Sequence, residues 1–143
     1  MMKNLCDLHV HSTCSDGTLT PGELVRLAEK LGLGAVALCD HNTVAGLPEF
    51  LEAARGSRVE IRYPYVPGWN DQECDAIGAF FASMKGISKV KVLGYHGYAG
   101  GKYAALRMPD TLPKVTVLAE DLEKPVAILR SYGLNAINGM VQD

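Results

Sequence analysis

The chain of 143 residues is 48% apolar and 21% charged, with 16 acidic against 14 basic side chains and a formal charge of −2. That composition excludes the disordered and collagen-like classes, and a near-neutral charge supplies no basic field for a nucleic-acid backbone. A core can be buried at this length, but a complete (βα)8 barrel takes roughly 200 residues or more.

In chain order, Leu5, Leu8 and Val10 mark a first strand. Thr20-Pro21-Gly22-Glu23 then reads as a helix start, with Thr at the N-cap, Pro at the first helical position and Glu three residues on. Leu24, Leu27, Ala28 and Leu31 follow at the spacing of one buried helical face, and Gly32 or Gly34 supplies the stop. Ala35 to Cys39 is a continuous apolar run, as in a strand covered on both sides. A weaker helix is predicted over 46–54 and a third strand over 59–63. Asn70 with Glu73 reads as another helix start, ahead of an apolar stripe through Cys74, Ile77, Phe81 and Met84. A fourth strand covers 90–93, and the glycine- and tyrosine-rich stretch 94–103 is predicted as a loop. The last helix carries Leu118, Leu122, Val126 and Leu129, kinks at Pro125 and ends at Gly133, before a short fifth strand over 134–137.

This alternation predicts an α/β chain with four to five parallel strands, a partial (βα) barrel too short for a complete TIM-like one. Its open sheet edges favour self-association. Cys6, Cys14, Cys39 and Cys74 form no CxxC pair, and reduced thiols are expected. With no signal-peptide pattern at the N-terminus and no long apolar run, the expected location is cytoplasmic, with no membrane partner.

His9 and His11 stand two apart on the first strand, so both imidazoles face one side. Asp16 lies in the loop after that strand, and His41 follows the end of the next. In a parallel sheet these strand ends share one crevice, where ligands bind. Three imidazoles and a carboxylate suit zinc, manganese or iron better than calcium or magnesium.

The run Asp7-Leu8-His9-Val10-His11-Ser12-Thr13, then Ser15-Asp16-Gly17-Thr18, with Cys39-Asp40-His41-Asn42-Thr43 later, resembles the PHP family, the polymerase and histidinol phosphatase group, over residues 5–55. The resemblance implies a distorted βα barrel that uses divalent metals to hydrolyse a small phosphate ester or nucleotide; the near-neutral charge, apart from it, leaves nucleic acid no default partner. The resemblance also implies His9 and His11 on one metal and Asp16 and His41, the expected catalytic pair, on another. Asp40 either orients an imidazole through its second ring nitrogen or serves as a turn residue. Where the family has Asp, this chain has Asn42, and Glu60 is the one candidate for the family's bridging Glu.

Further on, Val59-Glu60-Ile61-Arg62-Tyr63-Pro64, Val66-Pro67-Gly68-Trp69-Asn70-Asp71 and Val92-Leu93-Gly94-Tyr95-His96 resemble the C-terminal part of glycyl-radical enzyme activases, radical S-adenosylmethionine proteins, over 58–138. That likeness implies that Arg62 and His96 contact a nucleoside or an anion; otherwise Arg62 pairs with Glu60 and His96 caps a strand end. The closely spaced cysteines of a [4Fe–4S] site are missing, so no iron–sulfur cluster is expected. The chain is thus divided into a PHP-like fragment, 1–57, and an activase-like fragment, 58–143. The alternatives to a phosphoesterase are an activase remnant and a non-catalytic metal-binding half barrel.

Overall fold

The computed structural model describes residues 5–141, and the reading of the extreme N-terminus lies outside them. The chain divides into two compact units, Met1–Val59 and Glu60–Asp143.

In the first unit the order is β1 (Cys6–Val10), α1 (Pro21–Leu31), β2 (Ala35–Leu38) and α2 (Leu47–Ala53). Strands β1 and β2 pair in parallel, with Cys6 opposite Ala35, Asp7 opposite Val36 and Val10 opposite Leu38. One extra residue on β1 between Asp7 and Val10 makes a bulge beside His9. The predicted capping box forms: Thr20 Oγ1 accepts from the Glu23 amide at 3.3 Å, and Glu23 Oε2 accepts from the Thr20 amide at 2.8 Å. Gly32, at φ +66°, ends α1 in the left-handed conformation. The buried face of α1 is not the predicted leucine stripe. Pro21, Gly22, Val25 and Ala28 are buried, while Leu27 and Leu31 are exposed. Val25, Phe50 and Ala54 form this unit's core, with Val36, Leu38 and Ala53 against it. Glu49 of α2 accepts from the Gly22 amide at 3.0 Å, satisfying a donor in the first turn of α1.

From its second residue, β3 (Val59–Tyr65) lies in the second unit, which also contains α3 (Cys74–Ser83), β4 (Ile87–Gly94), α4 (Gly100–Ala105), α5 (Glu123–Ser131) and β5 (Ala136–Asn138), with short 3-10 turns ahead of α3 and α5. The sheet order is β3-β4-β5, and β4 pairs with β5 in parallel. Helix α5 packs against β5 and α3. Val90, Val92, Leu122 and Leu129 are wholly buried, and Val126 and Ala136 nearly so.

Two helix starts differ from expectation. Asn70 does not cap α3: its side chain accepts from the Val66 amide and donates to the Pro64 carbonyl, both at 2.8 Å, closing the turn after β3. Pro125 does not kink a long helix, because a 3-10 turn takes residues 119–122 and α5 begins at Glu123. Proline then falls in the first turn, where its missing N–H costs nothing. The predicted loop 94–103 gives way to helix α4 from Gly100.

The α/β alternation and parallel pairing stand, with the strands in a two-stranded sheet, β1-β2, and a three-stranded sheet, β3-β4-β5. Among the described residues no helix is long and apolar enough to cross a membrane.

Candidate metal centre

Pairing of β1 and β2 brings the residues that follow each strand into one neighbourhood. The Cys39 amide donates to the Val10 carbonyl at 2.8 Å, extending the ladder to the last residues before His11 on one side and Asp40-His41 on the other. The loop after β1 then folds back. The Ser12 carbonyl accepts from the Ser15 and Gly17 amides at 3.0 and 2.9 Å, which returns Asp16 towards His11.

His11, Asp16 and His41 each present a ligand atom within 4.8 Å of the others. Asp16 faces both imidazoles: Oδ1 lies 3.4 Å from His11 Nδ1 and Oδ2 lies 3.6 Å from His41 Nε2. The His11 and His41 rings stack, with centroids 4.4 Å apart and an angle of 22° between planes. His9 stands outside this three-residue group, although its ring centre is 4.9 Å from that of His11. The rings of His9 and His11 thus lie near one another, as their spacing on the strand predicts. Here His11 gathers with Asp16 and His41.

The donor set fits a transition ion on two grounds. His11 Nδ1 is buried and lacks a hydrogen-bond partner, its contact with Asp16 having the distance but not the geometry of a bond. A buried ring nitrogen left so is a ready ligand. One ligand atom from each of His11, Asp16 and His41 also lies within 4.8 Å of the others, a spacing that one ion could gather.

Asp40 takes a role that the sequence did not reveal. Its carboxylate accepts from the Ser12 amide and Ser12 Oγ, both at 2.6 Å, and from Ser15 Oγ at 2.7 Å, and from no imidazole. Burial pushes its pKa up, but the bonds from Ser12 and Ser15 and the nearby His11 outweigh this and hold it below the usual carboxylate range. Sequence reasoning did not single out Ser12 and Ser15, the partners of Asp40; their signal was two small hydroxyls flanking the ligand motif.

The remaining predicted residues lie in the second unit. Glu60 is half-buried on β3, Arg62 is exposed on the same strand, and exposed His96 stacks on Tyr98 with ring centres 4.3 Å apart.

Paired βα elements with imidazole and carboxylate donors at the strand ends define an α/β protein with a candidate metal centre. The chain belongs to the PHP family: the PHP domain profile matches residues 7–125. It is similar to a 5'-3' exoribonuclease of Haemophilus influenzae, 51% identical over 55 residues, which is 38% of this chain and 20% of that protein. It is 37% identical to the 5'-3' exoribonuclease Rnm of Salmonella typhimurium over 78 residues, 50% of this chain and 26% of that one. It is also 29% identical to the pyruvate formate-lyase 1-activating enzyme of Escherichia coli over 116 residues, 78% of this chain and 46% of that one. The chain thus spans about a fifth to a quarter of the exoribonucleases and under half of the activating enzyme.

These matches revise the extents read from sequence. The PHP match continues to residue 125, well past the expected limit near 55. The activating-enzyme likeness covers a larger share of the chain than residues 58–143 make up, so the two likenesses overlap in extent.

Proposed function

We propose that this chain carries part of the metal centre of a PHP-type phosphoesterase, acting on a phosphate ester of the nucleotide class. The gathering of His11 Nδ1, the Asp16 carboxylate and His41 Nε2 carries this reading. His11, Asp16 and His41 would hold the metal, with His9 beside them. Divalent ions in such a site polarise the phosphoryl group and activate water. The chain's own residues supply the donors, and Asp16 turns one carboxylate oxygen towards each imidazole. The exoribonuclease relatives favour a ribonucleotide substrate, with a 5'-phosphorylated RNA end as its extended form. Four protein donors are few for two four-coordinate ions, so turnover is expected to be slow.

The test is a zinc or manganese titration of the chelated chain by calorimetry, followed by a phosphatase assay with Mn2+ on nitrophenyl phosphate and on a 5'-phosphorylated oligoribonucleotide. Near-stoichiometric binding is expected, weakened at least tenfold in His41→Ala. Binding and turnover unchanged by that substitution would reject the ligand assignment.

A second reading concerns ancestry and rests on the activating-enzyme likeness. We infer that the second unit is a remnant of an activase barrel that has lost radical chemistry. Anaerobic reconstitution with iron and sulfide is then expected to yield no absorption near 400 nm characteristic of a cluster.

A further inference from the structure

Behind the ligands, the loop from His11 to Leu19 is gripped by an acid outside the three-residue group. Both oxygens of Asp40 are engaged: Oδ1 accepts from the Ser12 amide at 2.6 Å and Ser15 Oγ at 2.7 Å, and Oδ2 accepts from Ser12 Oγ at 2.6 Å. Ser12 is wholly buried, and its hydroxyl oxygen accepts in turn from the Cys14 amide at 3.1 Å. Charge-assisted bonds this short are among the stronger ones in a protein. The braced residues lie between His11 and Asp16, so the clamp acts on the segment that sets their separation. Gly46 leaves room for it, since a Cβ there would stand 3.0 Å from Asp40 Oδ2.

We propose that Asp40 is a positioning residue for the metal centre: by bracing Ser12 and Ser15 it sets the spacing of His11 and Asp16 before an ion arrives. The inference rests on the metal reading above. A loop already ordered loses less conformational entropy on binding, so metal affinity depends on a carboxylate engaged elsewhere.

The experiment compares zinc titrations of the full chain with those of Asp40→Asn, Ser15→Ala and Glu49→Ala, each shown to be folded by far-UV circular dichroism. Amide exchange of the metal-free proteins is followed in parallel. Asp40→Asn turns an acceptor into a donor facing serine donors, and Ser15→Ala removes one of the three bonds. Glu49→Ala weakens the same unit at the α1–α2 contact without touching the loop. Zinc affinity is expected to fall about ten- to hundredfold in Asp40→Asn and by a smaller factor in Ser15→Ala, with faster exchange at the Ser12 and Cys14 amides. Glu49→Ala should keep the parent affinity. If Asp40→Asn fails to fold, Ser15→Ala decides. Affinity within twofold of the parent in the clamp variants overturns the proposal, even if exchange is faster. An equal loss in Glu49→Ala also overturns it, because general destabilisation would then suffice. A parent chain that binds no zinc overturns the metal reading itself, whereas a binding parent with indifferent clamp variants overturns only the role of Asp40.

Discussion

The two units differ in what they gather, candidate ligands in the first and apolar core in the second. In the first, the buried apolar cluster is small, Val25, Phe50 and Ala54, and β1 is exposed along most of its length, Leu8 by 63%. Its strand ends, however, gather His11, Asp16 and His41. In the second, Val90, Val92, Leu122 and Leu129 are fully withdrawn from water, and no comparable group of metal-ligating side chains forms among its described residues. Each fully buried Val or Leu stabilises by about 1.5–3 kcal/mol, whereas a polar loop at the surface contributes little beyond its own hydrogen bonds. A ligand site must present polar atoms to an incoming ion, so the unit that carries it has less apolar surface to bury.

The sharpest way to break this contrast is to remove core from the second unit. Leu129→Ala is expected to destabilise it by about 3 kcal/mol, within the range for fully buried leucines, and to leave zinc affinity within twofold of the parent. Chemical denaturation and calorimetric titration of the same sample check both halves. A large loss of zinc affinity would show that the centre depends on the second unit's core.

A smaller effect separates two glycines that meet backbone at close range. A Cβ on Gly17 would fall 1.9 Å from the His11 carbonyl oxygen, and one on Gly139 would fall 2.5 Å from that of Val92. Either alanine must displace backbone, at about 1–3 kcal/mol. Gly17→Ala moves the loop between two ligands, so zinc binding should weaken about tenfold, on the scale of lost outer-shell support. Gly139→Ala should lower the melting temperature and spare zinc binding. Equal zinc affinities in the two variants would sink the distinction.

What the sequence revealed follows the range of the interactions involved. The Thr20–Glu23 capping box and the Gly32 stop depend on neighbours within a few residues and formed as predicted. The face of α1 did not, because hydrophobic spacing shows that a stripe exists but not which part of it another element covers. Ala28 is buried as expected, but Leu27 and Leu31 are exposed and Val25 turns inward. Helix α4 was hidden by two glycines at its start, poor helix formers that pass for a loop. In the site, His11, Asp16 and His41 were legible because parallel strand ends converge. The bulge beside His9 and the bonds from Asp40 to Ser12 and Ser15 were not. Those bonds join positions 28 and 25 residues apart, and nothing local marks which acid a given serine will meet.

The finest contrast lies in two residues with left-handed backbone, Asn42 at φ +53° and Arg107 at φ +54°. For a residue other than glycine this conformation costs about 1–2 kcal/mol, less for Asn, whose short amide tolerates it. Asn42 follows His41 directly, so its backbone helps determine how that imidazole approaches Asp16. Asn42→Gly should keep both stability and zinc affinity near parent values, while Asn42→Val should cost about 1 kcal/mol and weaken zinc a fewfold as the turn relaxes. Arg107 ends the turn after α4, away from any gathered ligands of its own unit. Arg107→Gly relieves similar strain but frees the unfolded chain, so the two terms nearly cancel and zinc binding is untouched. Thermal melts with and without zinc distinguish the cases: a zinc-dependent melting shift reduced in Asn42→Val but not in Arg107→Gly ties the left-handed turn to the centre. Equal shifts would make Asn42 a turn residue like any other.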